Sequence, residues 1–406
     1  MQEPVVSVGI LNAARIQFEL NGAFHSPTGE VTGLQEVVFS DSHIIWQGNT
    51  YDELSFLPAE NATFTLKAVV IGIHFHWERS EDQTFTGELH IIHDDNGLWA
   101  INRLPVEDYL TSVISSEMSQ HAGLELLKAH AIISRSWLLS QIEHKRHASA
   151  STCHETAERL IRWYDHDDHT LFDVCADDHC QRYQGITRAT NPTVGQAIEA
   201  TRGVLLMQGD EICDARFSKC CGGTMEQFST CWEDKDYTYL VPKRDWIGPG
   251  DDAFCNTSNP RILHQILNNY DQETTQFYRW TVTYSNEQLS ELVCRKTGTD
   301  YGEILDLIPV KRGPSGRIIE LKIVGSKLTR IIGKELEIRR TLSESHLYSS
   351  AFTVEKKDGQ FILHGKGWGH GVGLCQIGAA VMGDMGYTYD RILEHYYPNT
   401  QLIKKY

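Results

Sequence analysis

Residues 104–141 read LPVEDYLTSVISSEMSQHAGLELLKAHAIISRSWLLSQ, and two helical patterns meet in them. Leu110, Val113 and Ile114 recur at helical spacing, and Glu117 falls three to four residues further along the same apolar stripe. A break is expected at His121-Ala122-Gly123, which puts Glu117 near a helix C-terminus, where the macrodipole disfavours an anion. Burial and dipole together would raise its pKa, as suits a general acid; a solvated helix-end carboxylate is the competing reading. Pro105, Glu107 and Asp108 suit the first turn of this helix. In the second helix Leu124, Leu127, Ala131, Leu138 and Ile142 share one face. Lys128 and Arg135 lie beside that face, so Arg135 is either a solvated flank or a group that orients Glu117 or a substrate.

Upstream, residues 1 to about 100 alternate apolar and polar in short runs, with turn signals at Leu20-Asn21-Gly22 and Asp94-Asp95-Asn96-Gly97; this is a hairpin-rich β region. His74, His76, Trp77 and Glu78 interrupt one strand, and a surface strand explains them more simply than a metal site. Downstream, residues 150–185 are rich in metal-capable side chains. His169, Cys175 and Cys180, with His166 and His179 nearby, form a donor set that zinc favours, although no C-x-x-C pair is present; a Cys175–Cys180 disulfide or free thiols remain open.

From Pro192 to about Asp236 a helix is followed by strands and by the run Cys220-Cys221-Gly222-Gly223, a tight turn where glycine permits positive φ and close approach of a ligand. Cys221 and Cys231 could pair in an oxidising compartment. Residues 237–355 read as a mixed α+β segment, with a helix around 286–296 and strands in DLIPVKRG, RIIELKIVG and AFTVEKKDG, separated by turns such as Gly313-Pro314-Ser315-Gly316. Near the C-terminus glycines at 365, 367, 369, 371 and 373 alternate with Lys366, Trp368, His370 and Val372. That spacing predicts an extended strand with open backbone amides, projecting Trp368 and His370. It is neither a phosphate loop nor a dinucleotide fingerprint, so no organic cofactor is expected. Helices should follow from Gln376 to Gly383 and through YDRILEHYY.

At 406 residues, 41% hydrophobic and 22% charged, the chain suits two or three compact units. Its net charge of −17 disfavours nucleic acid or an anionic membrane as partner and is compatible with a weakly charged glycan. No transmembrane segment or signal peptide is expected from the sequence as written. Ten cysteines, seven of them from Cys175 to Cys255, suggest a local metal site, local disulfides, or both.

The segments VEDYLTSVISSEM, LELLKAHAIISRSWLL, CADDHCQRYQG, FSKCCGGTME and GWGHGVGLCQIGAAVMGDMGYTYDRILEHYYPNTQL, in that order, resemble the SpoIID/LytB family of stage II sporulation protein D and the amidase enhancers. The resemblance implies an α+β fold: a mixed helical and β catalytic body of the SpoIID type over 101–406, behind an N-terminal β-rich domain over 1–100. It implies a lytic transglycosylase that cleaves peptidoglycan between N-acetylmuramic acid and N-acetylglucosamine, leaving an anhydromuramic end. Glu117 matches the essential glutamate, and Arg135, His370 and Gln376 are expected to support it. Ser218, Gly222, Gly223, Trp368 and Gly369 are expected at the glycan strand. His169, Cys175 and Cys180 match a zinc-binding pattern of some members, with His179 as a stand-in and the metal supporting a loop rather than activating water. His130 stands where relatives tend to have glutamine, and Cys375 also departs from the pattern. The alternative implied function is a non-enzymatic, wall-binding activator of an amidase, and a zinc hydrolase is a third. The resemblance points to the bacterial cell envelope or periplasm, while the lack of a leader leaves the cytoplasm open.

Overall fold

The computed structural model describes residues 2–71, 79–119, 121–145, 152–164, 169–177, 180–188, 191–248, 252–267 and 275–406. His74, His76, Trp77, Glu78, His166 and His179, singled out above, lie outside the described residues. The fold is α+β: among the described residues eight α-helices stand among several sheets.

The N-terminal region forms most of an 11-stranded sheet. Strand Arg15–Ser26 shows why: its buried positions Ile16, Phe18 and Leu20 alternate with exposed Arg15, Gln17 and a half-buried Glu19, the period-2 pattern of a strand with one covered face. At Asp94-Asp95-Asn96-Gly97 the expected turn forms, with the Asn96 and Gly97 amides donating to Asp94 Oδ1 at 2.8 and 3.1 Å. Asn21-Gly22 is not a turn. It sits inside that long strand, where the register against Gly29–Ser40 shifts between Leu20 and Phe24, and Gly22 at φ +113° absorbs the irregularity. The sheet also recruits a later piece of chain, because Val174–Cys175 pairs in parallel with Val5–Ala13.

Helix α1 (Val106–Glu117) leaves the strand Gly97–Pro105 directly and ends at Glu117, four residues before the expected break at His121. Helix α2 (Leu124–Lys145) is buried at every position from Ala129 to Gln141 and lies in the middle of the larger core, not on its edge. Helices α3 (Pro192–Ala200), α4 (Pro260–Ile266), α5 (Asn286–Thr297) and α6 (Glu335–Thr341) follow, and α7 (Gln376–Asp384) and α8 (Tyr389–Tyr396) return to pack on α2. A second core, including Trp280, Leu289, Ile323 and Leu363, holds α5, α6 and the strands around them. Among the described residues no helix is long and apolar enough to cross a membrane.

Candidate functional site

Glu117 is the last residue of α1, with Met118 already extended and no basic side chain in the final turn. Its half-buried carboxylate accepts a hydrogen bond from the Arg182 backbone amide at 3.3 Å. The segment that supplies this amide is tied down on both sides. Gln184 N donates to Ser112 Oγ on α1 at 3.2 Å, and Gln181 donates to the Ser134 carbonyl on α2 at 3.3 Å while accepting from Tyr109. Burial raises the Tyr109 phenol well above its usual range, and the nearby Cys180, Cys175, Tyr183 and Glu117 push the same way.

Two residues before Arg182 lies Cys180. Donor atoms of His169, Cys175 and Cys180 all lie within 4.8 Å of one another, and all three residues are half-buried. One imidazole and two sulfurs at this spacing fit a zinc ion, leaving a fourth position to another ligand. The cluster is built where the parallel strand Val174–Cys175 joins the large sheet.

Arg135 does not reach Glu117. It is wholly buried, and its guanidinium makes a two-pronged pair with Glu107, Nε to Oε1 at 3.0 Å and Nη2 to Oε2 at 2.6 Å, with Nη1 on the Val204 carbonyl. Gly203 N and the Tyr406 hydroxyl also donate to Glu107. The expectation that Arg135 orients the acid or a substrate fails because α2 faces core at this position.

Gln376, the first residue of α7, is buried with its amide nitrogen 3.1 Å from His130 Nε2; His130 Nδ1 is 3.1 Å from Ser134 Oγ. Burial lowers the His130 pKa to about 3, so the ring is neutral. This chain of contacts runs from the glycine-rich end of the protein to Ser134, whose carbonyl holds Gln181, next to the Glu117 amide donor. His130, noted in the sequence only as a departure, is thus the link the sequence reading missed; a histidine on the apolar face of a helix was its one signal.

The glycine-rich segment is not an extended strand. Strand Gln360–Lys366 stops there, and Gly367, Gly369, Gly371 and Gly373 all take φ between +71° and +87°, which winds the backbone back and forth. Nor are its amides open: Gly367 N donates to Tyr278 O, Gly369 N to Tyr348 O and Gly371 N to the buried Ser218 hydroxyl. Gly222 and Gly223 do take positive φ, but the close approach at Gly222 is by the Gly367 backbone, where a Cβ would sit 2.8 Å from Gly367 N. Cys220 and Trp368 exchange backbone hydrogen bonds, joining this turn to the glycine segment. Arg317, read in the sequence only as the first residue of the strand run RIIELKIVG, is wholly buried and donates to the carbonyls of Gly369 and Cys221. A Cβ on Gly371 would meet its guanidinium at 2.4 Å.

Trp368 remains half-buried, stacked on Tyr348 at 4.4 Å with Phe277 at 4.9 Å. His370 accepts from Val372 N at Nδ1 and packs edge-on to Trp232. Desolvation, reinforced by Arg216, Arg317 and Arg339, holds its pKa well below the ordinary value, so it is a neutral imidazole. The Cys221–Cys231 pairing expected for an oxidising compartment does not form: Cys221 Sγ faces Cys255 Sγ at 3.5 Å, and Cys231 points to the His370 carbonyl. Beyond the C-terminal end of α1, a cleft of about 550 Å³ is lined by His121, Gly123, Arg261, His264, Gln265 and Asp384.

Residues 94–207 match the family described as Stage II sporulation protein, and residues 226–373 match a domain of unknown function (DUF8618). The chain is 25% identical over 323 residues to the amidase enhancer of Bacillus subtilis, covering 72% of this chain and 40% of that protein. It is 24% identical over 307 residues to stage II sporulation protein D of Bacillus amyloliquefaciens, covering 75% of each. An uncharacterized protein of Brachyspira hyodysenteriae is 26% identical over 320 residues, covering 79% of this chain and 72% of that protein.

Proposed function

Because this chain belongs to the SpoIID/LytB family, we propose that it acts at the cell wall as a peptidoglycan lytic transglycosylase with Glu117 as its acid and base. The observation that carries this reading is the placement of Glu117: a half-buried carboxylate at the negative end of α1, held by a backbone amide rather than neutralised in an ion pair with Arg135. One such group suffices. The Glu117 proton passes to the glycosidic oxygen as the C1–O bond breaks, and the C6 hydroxyl then bonds to C1 while its proton returns to the carboxylate. A water-using glycosidase normally needs a second carboxylate flanking the bond.

His130, Gln376 and Ser218 act as positioning residues, since their contacts are to protein. Trp368 offers a sugar-stacking face. His169, Cys175 and Cys180 would hold zinc, which when bound cross-links the loop carrying the Arg182 amide. The likeness to an amidase enhancer favours a second reading, a wall-binding activator of an amidase.

The deciding experiment digests purified sacculi and reads the products by mass spectrometry. Wild type should release anhydromuramic ends, and Glu117→Gln should bind sacculi equally well while losing at least about 100-fold in rate. A fully active Glu117→Gln variant removes the mechanism, and wild-type binding without anhydro products supports the second reading.

A further inference from the structure

We infer that Cys221, Cys255, Cys375 and Asp245 form a second, deeply buried metal site, suited to zinc. Their donor atoms all lie within 4.8 Å of one another. None of the four residues is more than 1% exposed. The three sulfurs come from three separate places: the turn before Gly222, the segment following Asp245, and the residue just before α7.

The geometry favours an ion over a cross-link or a simple thiol cluster. Cys221 Sγ and Cys255 Sγ are 3.5 Å apart. In a tetrahedral site with Zn–S near 2.3 Å the sulfurs stand about 3.8 Å apart, against about 2.05 Å in a disulfide. The Cys221 amide donates to Cys375 Sγ at 3.2 Å, the arrangement that stabilises a thiolate.

Asp245 supplies the independent argument. Its wholly buried carboxylate accepts from the Tyr396 hydroxyl at Oδ1, 2.7 Å, and from Cys255 N at Oδ2, 3.0 Å, so both oxygens are used as acceptors. Among the described residues no lysine or arginine pairs with it. Among those residues its nearest basic group is His395, whose buried Nε2 is 3.7 Å from Oδ1 and has no hydrogen-bond partner there. A buried carboxylate that neither lysine nor arginine pairs with is costly, and a metal at this cluster would offset its charge. Three thiolates and one carboxylate form a closed, four-coordinate set that zinc accepts, with no position for water; the role is structural. Bound there, the ion would fasten the Cys220–Gly223 turn to the start of α7 and hence to Gln376. Cys220, also buried and beside Cys255 and Cys375, is the neighbouring thiol able to replace Asp245.

The test uses the full chain purified with reductant and without chelator. A Cys175→Ser/Cys180→Ser variant leaves the buried donors intact and should retain one equivalent of zinc per chain by elemental mass spectrometry. Cobalt exchanged into it should show thiolate-to-metal charge-transfer absorption, lost on adding Cys255→Ala. A folded double variant that stays metal-free after incubation with zinc overturns the proposal, as does a Cys221–Cys255 disulfide in the reduced preparation. The wild-type chain gives a readout that needs no variant. N-ethylmaleimide should label Cys221, Cys255 and Cys375 at least tenfold faster after chelation, and equal rates with and without chelator refute the site.

Discussion

At the N-terminal end of α1, Glu107 is 3% exposed, and Arg135, Gly203 and Tyr406 occupy its oxygens. At the C-terminal end, Glu117 is half-buried, outside that ion pair, and accepts the Arg182 amide. One helix thus carries two carboxylates in opposite circumstances. Glu107 is gripped by the Arg135 guanidinium and helps lock α1 to α2. Glu117 is, on the proposed function, the group that gives up and takes back the proton. The contrast teaches that two glutamates on one helix are set apart by which partners the rest of the fold delivers, not by the helix they stand on.

The sharpest way to break this contrast is at the anchored end. Arg135→Met leaves the Glu107 charge buried without its cation and should cost about 3–5 kcal/mol in urea unfolding, with the Glu107→Leu/Arg135→Met double variant recovering much of it. A loss below about 1 kcal/mol in the single variant would mean that the pair anchors nothing.

A smaller effect sharpens the other end. His130 is neutral in the fold down to about pH 3 but titrates near 6.5 when unfolded. Between those values the unfolded chain binds the extra proton. The stability from this group is therefore complete above about pH 6.5 and falls as the pH is lowered, by up to about 1.4 kcal/mol per pH unit. His130→Gln replaces the imidazole with a polar group that does not titrate and should remove about 2 kcal/mol of the stability lost between pH 7 and pH 5. Urea midpoints at both pH values measure it; parallel pH dependences in the two proteins would mean that His130 is not held neutral. Smallest is Tyr406→Phe, which deletes one of the bonds to Glu107 and should cost about 1 kcal/mol with no change in product release from sacculi.

The apolar spacing of Leu110, Val113 and Ile114 made α1 legible and put Glu117 at its end, because a helix repeats its buried face locally. Strands at 304–312 and 318–325 and helix α5 were legible for the same reason. Partners distant in sequence were not. Glu107 looked like an ordinary first-turn acid until α2 brought Arg135 against it. Asn21-Gly22 carries the local signature of a turn, yet pairing on both sides keeps the strand going through it. The alternating glycines suggested an open strand; the buried guanidinium of Arg317, delivered from a different sheet, requires their coiled path. His169, Cys175 and Cys180 were visible because they fall within twelve residues of sequence, whereas Cys221, Cys255 and Cys375 meet across separations of 34 and 154 residues.

The Glu226 amide donates to the Gly371 carbonyl at 2.8 Å, so the segment matched at 226–373 starts and finishes at the same spot. Ser218 and Gly371 touch across 153 residues. The entropic toll for closing such an excursion grows only with the logarithm of its length, each doubling adding about 0.6 kcal/mol. The outer part of this segment can therefore be enlarged or trimmed over evolutionary time while the doorway where it leaves and rejoins the body keeps its shape.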